Sequence, residues 1–380
     1  MKNAAYQGPD RRKNGFGAMR LLFAFCVIFS HAPQMIDGDF SREPFIALGA
    51  NMTLGMLAVD GFFIISGYLL AGSYLSTSSL RDFLTSRILR IYPAFIVASL
   101  ICIFLVAPIS GGNLQSLGLK EWLVSGARLF LLMPPEVPGS FAALPIPALD
   151  GPMWTIRYEF RCYLLVALLG AFGLLYRKAL VAVFTAALYT VAAFQLIQPT
   201  VVPDGIVHKL VFNLVGDPAI VFKLTAIFMS GVCLRLYRDK ISFHPVLLII
   251  SAVVWLAAFF TSQFIEIVTG TLGAYILLWA SVGLKSEILQ RINNRYDYSY
   301  GVYLYAWPIA SLILLVSLDR FVISPIALSM ITVLLSLVAG AISWYLLEKP
   351  ALKHKRSRDA LPVTAGRADV AKQADMVSPV

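Results

Sequence analysis

The first apolar stretch of the chain carries two ionisable residues, Arg20 and His31, eleven positions apart. The segment between them, LLFAFCVIFS, has no charge. A helix rises about 1.5 Å per residue, which would separate the two side chains by about 16 Å, half the thickness of a bilayer core. Ionisable groups are costly at membrane depth and normally face a cavity or a partner, so the pair indicates a functional site. The imidazole is a candidate general base.

A second polar cluster opens the fourth apolar stretch, in the segment LDGPMWTIRYEFRCYLL. An interfacial belt, with the aromatic ring and the charge at headgroup level, accounts for Trp154 and Arg161. Glu159 lies one to two turns further inside, at the depth expected for His31, and we predict that the two meet. A carboxylate beside an imidazole fixes the tautomer and stabilises the imidazolium, as a general base requires.

A carboxylate also falls in the middle of the second apolar stretch, in VDGFFIISGYLLAG. Asp60 needs a partner at that depth, and Arg20 and Arg157 are candidates. The residue is either half of a structural ion pair or part of a substrate-lining surface. The nearby Ser66 and Gly67 favour close helix packing or a bend over a catalytic role.

Two arginines precede the third apolar stretch in FLTSRILRIYP. Arg87 and Arg90 are three residues apart and therefore share one helical face. They are either ordinary anchors at the cytoplasmic membrane surface or a clamp for phosphate, which suits the fork geometry of the guanidinium group.

The elements that must position these residues are membrane helices. Of the 380 residues, 58% are hydrophobic and only 14% are charged, whereas soluble domains carry about 25% charged residues. The predicted fold is all-α, a polytopic membrane protein with about ten transmembrane helices. The predicted spans are 17–36, 46–75, 89–107, 155–176, 179–197, 218–236, 245–262, 264–284, 298–318 and 322–347.

The basic residues predict the orientation of these spans. Most of the 31 Lys and Arg residues fall in the segments that are cytoplasmic if both termini are cytoplasmic, in agreement with the positive-inside rule. The net charge of +10 is thereby explained by topology, and no nucleic-acid partner is expected. The four cysteines lie in apolar stretches without metal-ligand spacing, so no metal site is expected.

Three regions follow from this pattern. Residues 1–15 and 353–380 are polar and charged and are predicted to be disordered cytoplasmic tails around a transmembrane domain at 16–352. Within the long outer loop, residues 119–133 have the composition of an amphipathic helix that lies on the membrane or covers a cavity.

Five segments, in this order, resemble the motifs of the membrane acyltransferase-3 family, whose members O-acylate extracytoplasmic sugars. The resemblance covers about residues 16–352. The matching residues, motif by motif, are Arg20 with His31; Asp60 with FFIISGYLL; Arg87, Arg90 and Pro93; Trp154 with Glu159; and Glu348, Lys349 and Pro350. One departure matters: the family usually has Tyr-Leu-x-His-x-Pro in the ninth span, and Ala306 stands here in place of that histidine.

The resemblance implies a multi-pass enzyme of the bacterial inner (cytoplasmic) membrane that uses acyl-CoA, most commonly acetyl-CoA, as a donor substrate and holds no permanent cofactor. Arg20, Arg87 and Arg90 would bind the CoA phosphates. His31, oriented by Glu159, would remove the proton of an acceptor hydroxyl on a surface polysaccharide or lipid-linked sugar. Arg157 is a candidate for stabilising the oxyanion, and Asp60 and Trp154 are structural or substrate-lining.

Two other classes remain open at this point. A transporter or flippase would also place Arg, His, Asp and Glu at membrane depth, although no repeat of two halves with broken spans is visible. A membrane scaffold or sensor would not need these clustered charges.

Overall fold

A computed structural model describes residues 14–77, 79–198, 215–283, 287–292, 296–318 and 320–353. Throughout this part of the chain the regular structure is helical. The longer helices are α1 (Phe16–Asp37), α2 (Leu54–Leu75), α3 (Leu80–Ile109), α4 (Leu119–Phe130), α5 (Trp154–Ala171), α6 (Lys178–Ile197), α7 (Pro218–Leu236), α8 (Pro245–Thr261), α9 (Ile265–Val282), α10 (Ser299–Ser317) and α11 (Pro325–Lys353). Short turns of π-helix interrupt α3, α9 and α11. A five-residue helix, Glu287–Arg291, precedes α10.

Eight of the described helices are long and apolar enough to cross a membrane, namely all except α4, α5 and α8. The α5 helix has 18 residues and contains three charged side chains, and α8 is apolar but has 17 residues. The predicted all-helical membrane fold is confirmed. The count of ten spans and the cytoplasmic location of both termini stay predictions, and most of both predicted tails lies outside the described residues.

The predicted start of the second span is wrong. The helix α2 begins at Leu54, with Thr53 as its N-cap, instead of at residue 46. The chain before it turns through Gly49, which has a φ of 82°, around the carboxylate of Glu43. That buried carboxylate accepts hydrogen bonds from the Leu54 amide (2.7 Å) and from two amides of the turn at 45–46. A charged group that satisfies three backbone donors holds the turn in place of a helix.

The predicted start of the third span is also wrong. The helix α3 begins at Leu80, where Ser79 accepts a hydrogen bond from the amide of Asp82 (3.4 Å). The arginines that the sequence pattern placed before the span, including Arg87 and Arg90, therefore lie on the helix and are held by it at fixed heights.

Glycines bring α2 and α7 into close contact. A Cβ atom on Gly67 would lie 2.0 Å from the carbonyl oxygen of Phe228, and one on Gly231 would lie 2.0 Å from that of Ile64. The predicted packing role of Gly67 is confirmed. Small residues let helix backbones approach within a membrane, where apolar burial alone does not drive association.

The predicted amphipathic helix of the long outer loop is confirmed as α4, which ends at Phe130 instead of 133. Tyr92 of α3 donates a hydrogen bond to the Phe130 carbonyl (2.9 Å), and Trp122 of α4 stacks on Phe104 of α3 at 5.8 Å. The loop helix is thus fixed against α3.

Candidate active site

His31 lines a large cavity near the end of α1. This histidine cavity has a volume of about 1500 Å³ and is open to the surroundings on one side. The residues whose side chains give it chemical character are His31 and Gln34 of α1, Asp60 of α2, Trp154 and Thr155 of α5, Lys223 of α7, and Tyr303 and Trp307 of α10.

The His31 ring is held by two neighbours. Its Nδ1 lies 2.9 Å from Oε1 of Gln34, one turn further along the same face of α1. The indole of Trp307 meets the ring edge-on with the centroids 5.3 Å apart. With an amide oxygen as the acceptor, Nδ1 carries the proton and Nε2 keeps its lone pair. This is the tautomer that a general base needs.

Glu159 lines a different and smaller cavity. This glutamate cavity, of about 390 Å³, also contains Arg20 of α1. Oε1 of Glu159 accepts hydrogen bonds from Ser66 (2.6 Å) and from Tyr163 (2.6 Å). No hydrogen bond joins it to His31 within the described residues. The side chain hydrogen-bonded to His31 is therefore Gln34, and the predicted direct pairing with Glu159 is not formed within the described residues.

The histidine and glutamate cavities adjoin. Val59, Thr155 and Tyr303 line both of them. The hydroxyl groups of Thr155 and Tyr303 lie 2.6 Å apart, and Tyr303 also donates to the carbonyl of Pro152 (2.9 Å). A hydrogen-bonded pair of side chains thus forms part of the wall between the cavities.

Two of the three arginines predicted to bind phosphate are engaged by carboxylates. Nη1 of Arg20 lies 2.9 Å from Oδ2 of Asp297, and Arg90 binds the same oxygen. Arg90 also reaches Oε2 of Glu348 at 3.3 Å, and Glu348 is 1% exposed. These two arginines neutralise the half-buried Asp297 and the buried Glu348, since a carboxylate in such a position requires a cation.

The third predicted arginine lines a separate cavity at the start of α1. This arginine cavity, of about 1310 Å³, contains Arg87 of α3, Arg235 of α7 and Arg238 just after α7, together with Asn14 and Phe16. The guanidinium of Arg235 lies 5.2 Å from the ring centroid of Tyr68. Neither Arg87 nor Arg235 forms an ion pair with a carboxylate within the described residues.

The sequence pattern assigned Arg235 and Arg238 to topology alone. One signal separates Arg235 from ordinary loop charges: it falls inside the predicted span 218–236, where a cation needs a reason. A second signal is Gly72, because a Cβ there would lie 2.7 Å from Nε of Arg235. The opposing helix leaves room for the guanidinium.

Asp60 lies among charges other than those expected. It occupies the second turn of α2 and is 2% exposed, and the two predicted partners, Arg20 and Arg157, are not among the charges that act on it. The charges that act on it are those of Lys223, which attracts it, and Glu266, which repels it. Lys223 and Glu266 are themselves 3.0 Å apart. Sequence reasoning missed this pair, although Lys223 also lies inside a predicted apolar span.

Of the remaining residues predicted in the fourth span, Trp154 lines a cavity and Arg157 is packed inside the protein. Trp154 lines the histidine cavity, as a substrate-lining residue would. Arg157 is 8% exposed and points at Tyr158, whose hydroxyl accepts a hydrogen bond from Nη2 (2.9 Å). It lines neither the histidine nor the glutamate cavity of the described structure.

The comparison of the sequence with known families identifies the chain. The family model of an acyltransferase domain matches residues 13–347. The residues that line the histidine, glutamate and arginine cavities all lie within this range. The chain belongs to the acyltransferase-3 family. It is an acyltransferase and a multi-pass membrane protein.

Three relatives of this acyltransferase have informative names. An "O-acetyl transferase" of Shigella phage Sf6 is 27% identical over 349 residues, which are 89% of this chain and 96% of that protein. "Nodulation protein 10" of Rhizobium leguminosarum bv. viciae is 26% identical over 371 residues, 91% of this chain and 95% of the relative. "Acyltransferase MdmB" of Streptomyces mycarofaciens is 29% identical over 147 residues, 38% and 36% of the two chains. No solved structure matches the chain.

An apolar side pocket adjoins His31 in this acyltransferase. It is narrow, with space of about 20 Å³ for a water-sized group, shares His31, Tyr303 and Trp307 with the histidine cavity, and extends between α1, α10 and α11. Ala306 lines it at the position where the sequence pattern of the family has a histidine. The methyl side chain of Ala306 leaves this space open beside the imidazole.

Proposed function

We propose that this acyltransferase moves an acyl group, typically acetyl, from acyl-CoA in the cytoplasm to a hydroxyl of an extracytoplasmic carbohydrate. The observation that carries the proposal is the order of the three cavities along α1. Asn14 and Phe16 at its start line the arginine cavity, Arg20 lines the glutamate cavity, and His31 near its end lines the histidine cavity. The relative named O-acetyl transferase supports the acetyl group.

The arginine cavity is the proposed site for the phosphate groups of CoA. Arg87 and Arg235 have no carboxylate partner within the described part of the chain, so they retain their charge for a ligand. Guanidinium groups bind phosphate through two parallel hydrogen bonds. The cavity is at the end of α1 that the basic residues predict to be cytoplasmic, in a bacterial inner membrane.

The chemical step centres on Nε2 of His31. It takes the proton of the acceptor hydroxyl as the oxygen attacks the thioester carbonyl carbon. When the carbon–sulfur bond breaks, the sulfur of CoA takes the proton from the imidazolium, so the step balances without another acid or base. Proton transfer by a positioned base contributes about 10²–10⁴ in rate. Gln34 keeps the ring in the required tautomer throughout.

The wall between the glutamate and histidine cavities is the proposed passage for the thioester. The donor enters from the arginine side, whereas the base lies beyond Thr155 and Tyr303. Once the thioester reaches His31, the apolar side pocket beside Ala306 receives the hydrocarbon end of the acyl group. An apolar pocket next to the reacting carbon excludes water from that end of the substrate.

The test combines donor consumption with acceptor modification. Purified protein that is given acetyl-CoA and a glycoside acceptor should release CoA thiol, and surface glycans of cells that express it should gain an acetyl mass. His31→Ala should abolish both signals, and Gln34→Leu should lower the rate about tenfold because the tautomer is no longer fixed. His244→Asn is the matched control, because His244 is exposed and its N-cap role at α8 suits Asn. Full activity in His31→Ala would refute the mechanism.

A further inference from the structure

We propose that Asp60 and Lys223 form a hydroxyl-binding subsite in the histidine cavity that holds the acceptor sugar through a hydroxyl that does not react. The proposal rests on the proposed function and deepens it. It adds a second point of attachment for the acceptor, away from His31, and predicts that the bound sugar is uncharged.

Asp60 has a hydrogen-bonding capacity that the protein leaves unused. The residue is 2% exposed and lines the histidine cavity, and its Oδ2 has no hydrogen-bond partner within the described residues. A buried acceptor atom without a donor costs about 1–3 kcal/mol, and more when it is charged. Such an atom at the wall of a substrate cavity is typical of a position where the ligand supplies the donor, and a sugar hydroxyl is a donor of this kind.

Lys223 places a positive charge near Asp60 without forming a hydrogen bond to its Oδ2. The side chain of Lys223 lines the histidine cavity and also a second cavity of about 530 Å³ behind it, which contains Glu266. Its Nζ donates to Oε1 of Glu266 at 3.0 Å. The ammonium is thereby drawn toward the rear cavity, where it still attracts the Asp60 carboxylate but does not donate a hydrogen bond to Oδ2. Lys223 is therefore a positioning residue.

The ion pair of this cluster selects against anionic groups. The ammonium of Lys223 is already engaged by Glu266 at 3.0 Å. A phosphate or uronate group placed at Oδ2 would therefore meet the oxygens of Asp60 without a cation of the cluster to balance its charge, which is costly in a buried site. The subsite therefore fits a neutral hexose or deoxyhexose unit.

The cavity supplies the other features that a sugar ring requires. Trp154, Tyr303 and Trp307 line it and offer apolar aromatic faces for the C–H surface of the ring. Apart from the open solvent at its mouth, its volume of about 650 Å³ lies within the roughly 300–1,000 Å³ of ordinary small-molecule pockets. A sugar unit and the end of the thioester arm therefore fit together.

Asp60, Lys223 and Glu266 also lie at the right end of the molecule. Each is within the first two turns of its helix, α2, α7 or α9. The α2 and α7 helices begin at the end where α1 finishes after His31, since both contribute residues of their first two turns to the histidine cavity, and the ion pair with Lys223 brings Glu266 to the same end. This is the end predicted to face the outside, from which the acceptor arrives.

The first experiment measures glycoside binding by variants. The probes are the methyl glycosides of glucose, galactose and rhamnose, titrated against the intrinsic tryptophan fluorescence of the purified protein in a polyoxyethylene detergent, which carries no sugar. At least one probe should bind the wild type. Asp60→Asn should weaken that probe about tenfold, because the amide replaces one carboxyl oxygen by a nitrogen that cannot accept a hydrogen bond. Lys223→Met should also weaken it, whereas desulfo-CoA affinity should stay unchanged in both.

Asp150→Asn is the matched control for these variants. Asp150 is also a 2% exposed carboxylate with an unpartnered Oδ2, but it is not among the residues that line the histidine cavity. This variant should bind the glycosides as the wild type does. If glycoside affinity fell equally in Asp150→Asn and Asp60→Asn, the cause would be the loss of any buried carboxylate and not of a contact with the sugar. The proposed subsite would then be refuted.

The second experiment needs no variant and so does not depend on whether Asp60→Asn folds. Each monodeoxy analogue of the best methyl glycoside is titrated against the wild type. One analogue, lacking the hydroxyl that meets Asp60, should bind about tenfold more weakly than the parent. Equal affinity of all analogues, or no binding of any probe, would overturn the proposal. Acetyl-CoA consumption that depends on His31 would then still stand, so the two failures are distinguishable.

Discussion

Tyr303 Oη and Thr155 Oγ1 lie 2.6 Å apart in the wall that separates the cavity of His31 from the cavity of Glu159. Both hydroxyls are also directed at the carbonyl oxygen of Pro152, at 2.9 and 3.2 Å. In the proposed mechanism this wall opens for the thioester to pass to His31 and, while closed, would keep the water of the histidine cavity away from the donor. A transferase needs such a barrier because water competes with the acceptor hydroxyl.

Removing the hydroxyl of Tyr303 should make this barrier leak. In Tyr303→Phe we expect acetyl-CoA hydrolysis without acceptor to rise relative to transfer, and unfolding stability to fall by about 1 kcal/mol for the lost hydrogen bond. Tyr305→Phe, two residues away and also buried, is the control and does not line either cavity. An unchanged ratio of hydrolysis to transfer in Tyr303→Phe would contradict a barrier role.

The arginines should separate into two functional groups. Arg87→Ala and Arg235→Ala should each raise the KM for acetyl-CoA about tenfold, which corresponds to the loss of a charged hydrogen bond to phosphate, with little effect on folding. Steady-state kinetics over a range of donor concentrations give this value. The exposed Arg320 supplies the control variant, Arg320→Ala.

Arg90→Ala should instead destabilise the protein. It removes a cation from Asp297 and from Glu348, and an uncompensated buried charge costs about 3–5 kcal/mol. Thermal unfolding of the purified protein and its abundance in the membrane should both fall. A stable Arg90→Ala protein whose only defect is a raised KM for acetyl-CoA would contradict this structural role and would indicate that Arg90 binds the CoA phosphates.

Ala306 should limit the length of the acyl chain. Leucine at this position would fill the side pocket beside His31, so Ala306→Leu should lower kcat/KM for butyryl-CoA at least about tenfold more than for acetyl-CoA. Competition between the two donors, followed by mass spectrometry of the product, measures the preference. Ala257→Leu, on an exposed face of α8, should leave it unchanged. The pocket has no part in donor selection if both variants show the same preference as the wild type.

Asp150 should make stability depend on pH. Burial raises the pKa of Asp150 well above its usual range, so the folded protein retains a proton that the unfolded chain releases above about pH 4. The folded state is therefore favoured at acid pH and loses this advantage as the pH rises from about 4 toward the raised pKa. Asp150→Asn should match the wild type near pH 4 and melt at a higher temperature at pH 7.

The exposed Asp39 should contribute to folding stability with the opposite pH dependence. Hydrogen bonds from Ser41 lower the pKa of Asp39, so its carboxylate is favoured in the folded state above about pH 4. Asp39→Asn should therefore not gain stability at pH 7. Scanning fluorimetry across this pH range measures both variants, and a pH-independent difference between Asp150→Asn and the wild type would contradict the prediction.

The sequence alone determined the helical membrane fold, the positions of most spans and the family. It also determined that Arg20 and His31 lie at different heights of one helix, because helical rise is fixed by the backbone and apolar length by the bilayer. It indicated as well which groups are costly: a charge such as Asp60 in an apolar stretch needs an explanation whatever surrounds it.

Only the tertiary structure decided the partners of those groups. His31 is held by Gln34 and not by Glu159, Arg90 is engaged by acids from beyond residue 290, and Asp60 faces Lys223 from a helix more than 150 residues away. The physical reason is that the energetic cost of burying a charge follows from the apolar residues around it in its own helix, which the sequence shows directly. The choice of its counter-charge depends on which helix faces pack together, and small residues such as Gly67 and Gly231 set that packing.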